Sequence, residues 1–370
     1  MMTDPFVALA TEPRIHALLG REAHPAPAPE GLFMGTAECA GKRVRFIATR
    51  PELRTGTLGV AECDAITRFA ETAPGQCEAL LFLVDSAGAR LDDGLPIQGA
   101  LRRTMRALLD ANLAGLPGAA ILGRNAFGGA SLLAYALSAQ FYSVDTRMAM
   151  TGPRVLQKAG KLAEADVAAV ISGAARCRQS GRLLCEPGTQ PAAFERWLAS
   201  PLTPPAGHSI PLRERLAAAG LQAHPDDPTL SAPDTLTCHR GVTPGAADLM
   251  KLADAIRTLP SGATIDLAWT GHSADLQDEA VVQSEYLAHL SRTLRTRTRA
   301  GTRITLRLSG EISGGLFIAL AAAATEVVLA PGGRVLTLPQ DALQNIFKST
   351  ADMTNHGSPL SAGAVDIILS

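Results

Sequence analysis

In the first two hundred positions, short continuous runs of apolar residues alternate with stretches in which apolar residues have helical spacing. This pattern predicts strands joined by helices. Residues 79–84 and 119–122 are continuous apolar runs, which are typical of strands buried on both faces of a sheet. Residues 59–71 and 95–114 show helical spacing instead. Because helices alternate with buried strands, we expect a parallel sheet with helical crossover connections.

A second series with the same order follows in the last third of the chain. The pattern predicts strands at 264–269, 303–308 and 326–329, and one long helix over 279–298. The alanine-rich apolar stretch 316–324 is too short to span a bilayer and predicts a buried helix. A second parallel sheet is therefore expected.

The two series superpose without a gap at a constant offset of 186 residues, which takes Gly128 to Gly314. The identical positions in the first series are Gly115, Leu122, Gly128, Gly129, Ala136, Thr151 and Pro153. An internal duplication, in which two copies of one α/β fold are fused, explains this offset. Eight prolines mark the stretch between the copies. We expect a domain at 1–200, a linker at 201–244 and a shortened domain at 245–370.

Composition and charge narrow the class of protein. With 370 residues, 46% hydrophobic and 19% charged, the chain can fold as two globular domains. A net charge of −1 argues against a nucleic-acid partner. The short basic run at 292–299 fits a solvated helix face or a docking patch for an acidic partner.

The cysteine spacing and the N-terminal sequence indicate which cellular compartment and which metal sites to expect. The six cysteines include no C-x-x-C pair, which predicts free thiols in a reducing cytoplasm and no structural zinc site. The spacing of an H-E-x-x-H metal site is also missing from the sequence. We expect no signal peptide and no membrane partner, because no basic region followed by a long apolar run stands at the N-terminus.

Paired glycines stand at a predicted helix start in each series, at Gly128–Gly129 and Gly314–Gly315. The first N–H groups of a helix lack partners, and the helix dipole favours negative charge there. Glycine lets a substrate oxygen come close to these groups, so such a turn can stabilise the enolate of a thioester. Taken alone, the pair equally fits a tight turn or close helix–sheet packing.

The loop 85–90, Asp-Ser-Ala-Gly-Ala-Arg, changes that balance. It follows the buried strand at 79–84, which is the predicted neighbour of the strand before Gly128–Gly129. A second N–H donor is expected from this loop, with Gly88 or Ala89 as the candidate. The loop and the glycine pair together favour an oxyanion site.

These motifs resemble those of a known family. Residues 85–94 resemble the D-S-G-G-A-R-x-x-E-G loop of carboxyltransferase β-type domains. Residues 125–131 and 150–153 are similar to the second oxyanion loop and the N-G-P turn of those domains. The best match is to β subunits of biotin-independent malonate decarboxylases, over roughly residues 40–160. Residues 260–340 resemble the γ subunits more loosely.

The resemblance implies two crotonase/ClpP-like spiral domains with an active site between a β-type and a γ-type lobe. It implies decarboxylation of a malonyl thioester to an acetyl thioester through an oxyanion-stabilised enolate. The substrate carrier would be CoA or the phosphopantetheine of an acyl carrier protein, with no tightly bound cofactor and no metal. An oligomer is expected, with other decarboxylase subunits as candidate partners.

Site roles follow from the motifs and the resemblance. The catalytic N–H groups are expected from Gly88, Ala89, Gly128 and Gly129. The candidate substrate-binding residues are Ser86, Arg90, Phe127, His272, Gly314 and Gly315. Arg90 either binds a carboxylate or phosphate or is structural. His272, which the offset pairs with Ser86, is either a proton donor or an exposed loop histidine.

Two other functions remain open. One is a biotin-dependent acyl-CoA carboxyltransferase subunit, against which the missing zinc ribbon and biotin-carrier motif count. The other is a non-catalytic scaffold subunit of such a complex, which the missing Gly-Ala-Arg signature at 271–276 favours. We expect Gly128–Gly129 to be the catalytic pair and Gly314–Gly315 to shape the opposite wall of the cleft.

Overall fold

The computed structural model describes residues 3–180, 182–200, 211–338 and 358–369. Pro339, which the 186-residue offset pairs with Pro153, lies outside the described residues. So do the first ten residues of the predicted linker.

The first sheet is parallel in its central part. Its strands are β1 (His24–Ala26), β2 (Leu32–Cys39), β3 (Lys42–Thr49), β4 (Ala79–Ser86), β5 (Gly118–Phe127), β6 (Ala139–Ser143), β7 (Arg147–Ala149) and β8 (Leu183–Cys185). They lie in the order β1-β2-β3-β4-β5-β6-β8, with β7 paired to β5. The pairs from β3 to β8 are parallel, whereas β1, β2 and β3 pair antiparallel at one edge.

Helices cover both faces of this sheet. They are α1 (Thr11–Leu19), α2 (Val60–Glu71), α3 (Leu95–Leu113), α4 (Gly129–Tyr135), α5 (Pro153–Gly160), α6 (Glu164–Ile171), α7 (Gly173–Ser180) and α8 (Gln190–Ala199). All of β4 is buried, and its alternate residues enter two different hydrophobic clusters, one containing α2 and α3 and the other α1 and α8. A strand enclosed on both sides needs apolar residues at every position, which explains its continuous apolar run.

The second sheet is also mainly parallel. Its strands are β9 (Thr229–Ala232), β10 (Thr235–Cys238), β11 (Ala263–Leu267), β12 (Ile304–Leu308), β14 (Glu326–Leu329) and β16 (Ile367–Ile368), and β13 (Glu311–Ser313) pairs separately with β15 (Arg334–Leu336). The order is β16-β14-β12-β11-β10-β9, with β9 antiparallel to β10 and the other pairs parallel. The protein is thus a mixed α/β structure with two parallel-type sheets.

Five helices accompany the second sheet among the described residues. They are α9 (Leu212–Ala218), α10 (Ala246–Thr258), α11 (Leu276–Ala280), α12 (Gln283–Arg299) and α13 (Gly314–Ala323). Every residue of α13 is buried, as its alanine-rich composition predicts. In the described part of the chain, no helix combines the length and the apolar character needed to cross a membrane.

Two expectations from the sequence need correction. Residues 229–238, inside the predicted linker, form β9 and β10 and extend the second sheet. The predicted long helix over 279–298 is two helices, α11 and α12, because Val282 adopts φ +70°. A β-branched residue in this left-handed region costs about 1–3 kcal/mol, so surrounding contacts must hold it there. Apolar spacing carries no sign of such a break.

The offset of 186 residues matches structural elements as well as identical residues. β5 and α4 correspond to β12, β13 and α13, and both strand-to-helix turns place a glycine in the left-handed region. Gly128 has φ +56° and Gly314 has φ +58°. The duplication itself stays a prediction, as do the domain boundaries.

The two sheets are joined by buried polar contacts between α3 and the second half. Arg102 of α3 is buried, and its guanidinium donates to the carbonyls of Ala321 at 3.0 Å and Ala364 at 3.1 Å. It also forms an ion pair with Asp366 at 2.7 Å. One arginine thus satisfies the end of α13 and the segment before β16 together.

Arg102→Met is expected to lower the free energy of unfolding by about 3–5 kcal/mol, because it leaves the Ala364 carbonyl without its donor and Asp366 without its ion pair. Urea denaturation of the purified protein measures this loss. The adjacent Arg103 is the matched control, since it pairs with Asp64 at a largely exposed site. Arg103→Met should cost less than about 1 kcal/mol. Equal losses in the two variants would contradict this assignment.

Candidate functional site

A cavity of about 530 Å³ lies between the two glycine turns. The loop after β4 and the start of α4 form one side, and the loop after β11 and the start of α13 form the other. Eight of the residues proposed from the sequence line it: Gly88, Ala89, Phe127, Gly128, Gly129, His272, Gly314 and Gly315. The rest of the lining is largely apolar, and no lysine or arginine is among the described lining residues.

Backbone hydrogen bonds hold the loop after β4 and leave one N–H group open. Ser86 is fully buried, and its Oγ accepts the Gly88 N–H at 3.1 Å. The N–H groups of residues 87 and 90 donate to carbonyls in the segment 55–58. The Ala89 N–H has no acceptor among the described residues. Of the two candidate donors in this loop, Gly88 is therefore engaged and Ala89 is available.

The turn from β5 into α4 leaves a second open N–H group. Gly128, at φ +56°, donates its N–H to the Ala149 carbonyl at 3.0 Å. Gly129 is the first residue of α4, and its N–H has no acceptor within the described structure. A Cβ on Gly129 would approach a Leu101 methyl to 3.1 Å. The turn thus uses Gly128 for its shape and presents the N–H of Gly129.

Gly314 and Gly315 bring the second half against the first at the opposite wall. A Cβ on Gly315 would lie 2.7 Å from Met150 Cε and 3.0 Å from Leu287 Cδ1. An added Cβ would therefore require the end of the Met150 side chain to move away from the start of α13. Nearby, the hydroxyls of Ser131 and Ser284 hydrogen-bond across the two halves at 2.8 Å.

His272 lies in the loop after β11 and faces the start of α13. Its Nδ1 is shielded from solvent and has no partner among the described residues, and its Nε2 lies 3.5 Å from Thr151 Oγ1. A Cβ on Gly314 would approach His272 Cε1 to 3.2 Å. Burial lowers the pKa of His272 to about 4, so the imidazole is neutral at pH 7. The reading of His272 as an exposed loop histidine is therefore wrong.

Ser86 and Arg90 are not among the residues that line the cavity. Ser86 instead holds the Gly88 N–H, as described above. The Arg90 guanidinium pairs with Glu62 at 3.0 Å and donates to the Thr57 carbonyl at 3.2 Å. These contacts support the structural reading of Arg90, because its donors anchor the loop to α2.

Sequence reasoning missed a buried ion pair behind the cavity wall. Glu279 Oε1 accepts the Thr151 N–H at 2.6 Å, and its Oε2 lies 3.4 Å from Arg176 Nη2. Arg176 Nε donates to the Met148 carbonyl at 2.9 Å. Burial raises the pKa of Glu279, and the charge of Arg176 opposes this rise. The available signal was the acidic pair Asp278–Glu279 next to an apolar helical pattern.

The six cysteines are free thiols in the structure. Burial raises the pKa of Cys63 to about 12, so its thiol is protonated and unreactive at neutral pH. Within the described ranges, no three His, Cys, Asp or Glu side chains are grouped so that they could hold a metal ion.

Comparison of sequences finds similarity to carboxyl transferases. No family model matches the chain. Over 130 residues it is 28% identical to the acetyl-coenzyme A carboxylase carboxyl transferase subunits beta/alpha of Salinispora arenicola, and to the same protein of Salinispora tropica. The matched stretch is 35% of this chain and 23% of each relative, so the chain matches about a quarter of the relatives' length.

Comparison of structures finds two groups of similar proteins. A Pseudomonas malonate decarboxylase MdcD–MdcE hetero-dimer is 19% identical with a TM-score of 0.47, covering 58% of this chain and 93% of that one. The transcarboxylase 12S hexamer, with hydrolysed methylmalonyl-coenzyme A bound, is 15% identical with a TM-score of 0.47, covering 98% and 86%. Neither likeness bears on the reaction of this chain.

His272 makes stability depend on pH in a testable way. An unfolded histidine takes up a proton near pH 6.5, whereas folded His272 does so only near pH 4. Between these values the unfolded state binds more protons, so acid lowers the free energy of unfolding. His272→Gln should remove on the order of 1–3 kcal/mol of this loss. Denaturation curves at pH 7.5 and 4.5 test it, and an unchanged pH dependence in the variant would contradict it.

Proposed function

We propose that this protein is an enzyme that decarboxylates a malonyl thioester to an acetyl thioester in the cavity between the glycine turns. The observation that carries the proposal is the pair of open N–H groups, Ala89 and Gly129, on one side of that cavity. Loss of CO2 leaves an enolate whose charge lies on the thioester oxygen. Two N–H donors that are already in place stabilise this charge without reorganisation.

The lining of the cavity suits a reaction in which a charge moves. Its surfaces are mostly apolar, and Glu311, the carboxylate among the described lining residues, pairs with Arg334 at 2.9 Å. In poorly polar surroundings a hydrogen bond to an oxyanion is worth more than in water. The electron pair of the broken carbon–carbon bond then moves towards the thioester oxygen, which accepts hydrogen bonds from the N–H groups of Ala89 and Gly129.

The proposal extends to carrier and assembly. The substrate enters as a thioester of CoA or of the phosphopantetheine on an acyl carrier protein, so no tightly bound cofactor takes part. The chain acts as a fused β/γ-type subunit of crotonase/ClpP-like fold that arose by internal duplication. It works in the cytoplasm as an oligomer with other decarboxylase subunits.

A second candidate is carboxyl transfer on acyl-CoA with biotin as the carboxyl carrier. The similarity to acetyl-coenzyme A carboxylase carboxyl transferase subunits favours it. Both reactions pass through the same enolate, so the same pair of N–H donors serves either. They differ in whether the carboxyl group leaves as CO2 or moves to biotin.

The test is to supply malonyl-CoA or malonyl-acyl carrier protein and to follow the acetyl thioester by chromatography. Gly129→Val is expected to lower kcat about 10²–10³-fold, because the side chain covers an oxyanion donor. Repeating the assay with free biotin and labelled malonyl-CoA shows whether the label moves to biotin instead.

Gly41→Val is the matched control for this substitution. Gly41 lies in the turn between β2 and β3 at φ +70°, outside the cavity lining, and nothing lies within 4 Å of an added Cβ. It should lose stability but keep its turnover. A folded wild-type protein that converts no malonyl thioester would refute the decarboxylase. Transfer of label to biotin would identify a carboxyltransferase. A protein that shows neither activity would fit the non-catalytic scaffold subunit.

A further inference from the structure

The side of the cavity opposite the oxyanion donors carries a histidine whose buried nitrogen has no partner. Resting on the function proposed above, we propose that His272 is the catalytic acid that protonates the enolate carbon. Ala89 and Gly129 hold the oxygen end of the enolate, and His272 acts from the other half of the protein. The proton donor was otherwise unassigned.

The position of the imidazole carries this assignment. His272 lines the cavity next to Gly314, where an added Cβ would lie 3.2 Å from its Cε1 and 3.6 Å from its Nδ1. Nδ1 is shut off from solvent and makes no hydrogen bond to the described residues. Since buried nitrogens are nearly always satisfied, an unpaired one in a residue of the cavity wall indicates that a ligand completes it.

Ionisable groups on the neighbouring elements are already engaged. On β13, Glu311 pairs with Arg334. On α11, Glu279 pairs with Arg176, and Asp278 accepts the Ala246 N–H. His272 is thus the titratable group among the described lining residues that has no ionic partner.

Two further charged groups belong to the neighbouring elements α11 and α5. Asp275 caps α11 by accepting the Gln277 N–H, and Arg154 stands exposed on α5. Thr151, whose Oγ1 is 3.5 Å from Nε2, is held through its N–H by Glu279. Among the described residues, none of these charged groups forms an ion pair with His272.

The duplication gives a reason for the difference between the two sides. The offset of 186 residues pairs His272 with Ser86, whose hydroxyl oxygen accepts the Gly88 N–H. In the second half the corresponding loop makes no such bond with the imidazole, so the side chain is left to face the cavity. One copy shapes the oxyanion loop, and the other supplies an acid.

The step balances in atoms and charge. Burial keeps the imidazole neutral before a substrate binds. An entering malonyl carboxylate favours the imidazolium, so His272 takes one proton from solvent. The C–C bond to the carboxylate breaks, CO2 leaves, and the electron pair forms the enolate. The imidazolium then gives its proton to the α-carbon, forming a C–H bond and returning to neutral, with no redox change.

The kinetic test compares wild type, His272→Gln and His16→Gln with malonyl-CoA across pH 5–9. His272→Gln should lower kcat about 10²-fold or more with little change in KM, and it should lose the fall in kcat at high pH that deprotonation of the acid gives the wild type. His16 lies on α1, away from the cavity, and His16→Gln should match the wild type.

Proton uptake gives a readout that does not depend on turnover. Calorimetry with sulfoacetyl-CoA, whose sulfonate cannot leave as CO2, is run in two buffers of different ionisation enthalpy. The wild type should take up about one proton on binding, and His272→Gln about none. If the variant fails to fold, the two-buffer measurement on the wild type still tests the proposal, because it shows whether a proton is taken up on binding.

The outcomes separate the two proposals. A wild type that turns over, with a His272→Gln variant of equal kcat and equal pH profile, refutes the acid and leaves the decarboxylase standing. Turnover without proton uptake on binding also refutes the acid. A wild type that converts no malonyl thioester refutes the decarboxylase and, with it, the assignment of His272 as the catalytic acid.

Discussion

The site depends on one backbone constraint, a left-handed turn where a parallel strand becomes a buried helix. Gly128 meets it at the end of β5, and Gly314 meets it at the start of α13. Only glycine adopts this conformation without strain, and the first N–H groups of the helix that follows have no intrahelical partner. Because the Gly128 N–H is used by Ala149, the next residue, Gly129, presents the donor.

Buried polar contacts between the halves give this turn a wall to face. Arg102 reaches from α3 to the end of α13, and Glu279 joins Thr151 to Arg176. Buried charges lose much of their hydration, so each needs its partners in place, and removing one partner is costly. The cavity between the halves is therefore held by contacts that resist sliding of one sheet past the other.

The two sides of the cavity have become chemically different although their backbones are alike. The first side presents the Ala89 N–H in a loop held by Ser86 and Arg90, and the Gly129 N–H at the start of α4. The loop of the second side is tied by a hydrogen bond from the Ser273 N–H to the Pro244 carbonyl at 2.9 Å, and it carries His272 at the position that the offset pairs with Ser86. The proposed reaction needs both a site for the enolate oxygen and a proton for its carbon, and the proposal assigns one of these tasks to each side of the cavity.

The sequence by itself determined the order of elements, the two parallel sheets and the glycine turns, because these depend on local apolar spacing and on the conformational needs of single residues. It also placed eight of ten candidate site residues around one cavity. Tertiary structure decided which N–H groups stay open, that Arg90 pairs with Glu62, that Val282 breaks a helix and that residues 229–238 join the second sheet. These outcomes rest on partners far apart in the chain, and local spacing carries no information about such partners.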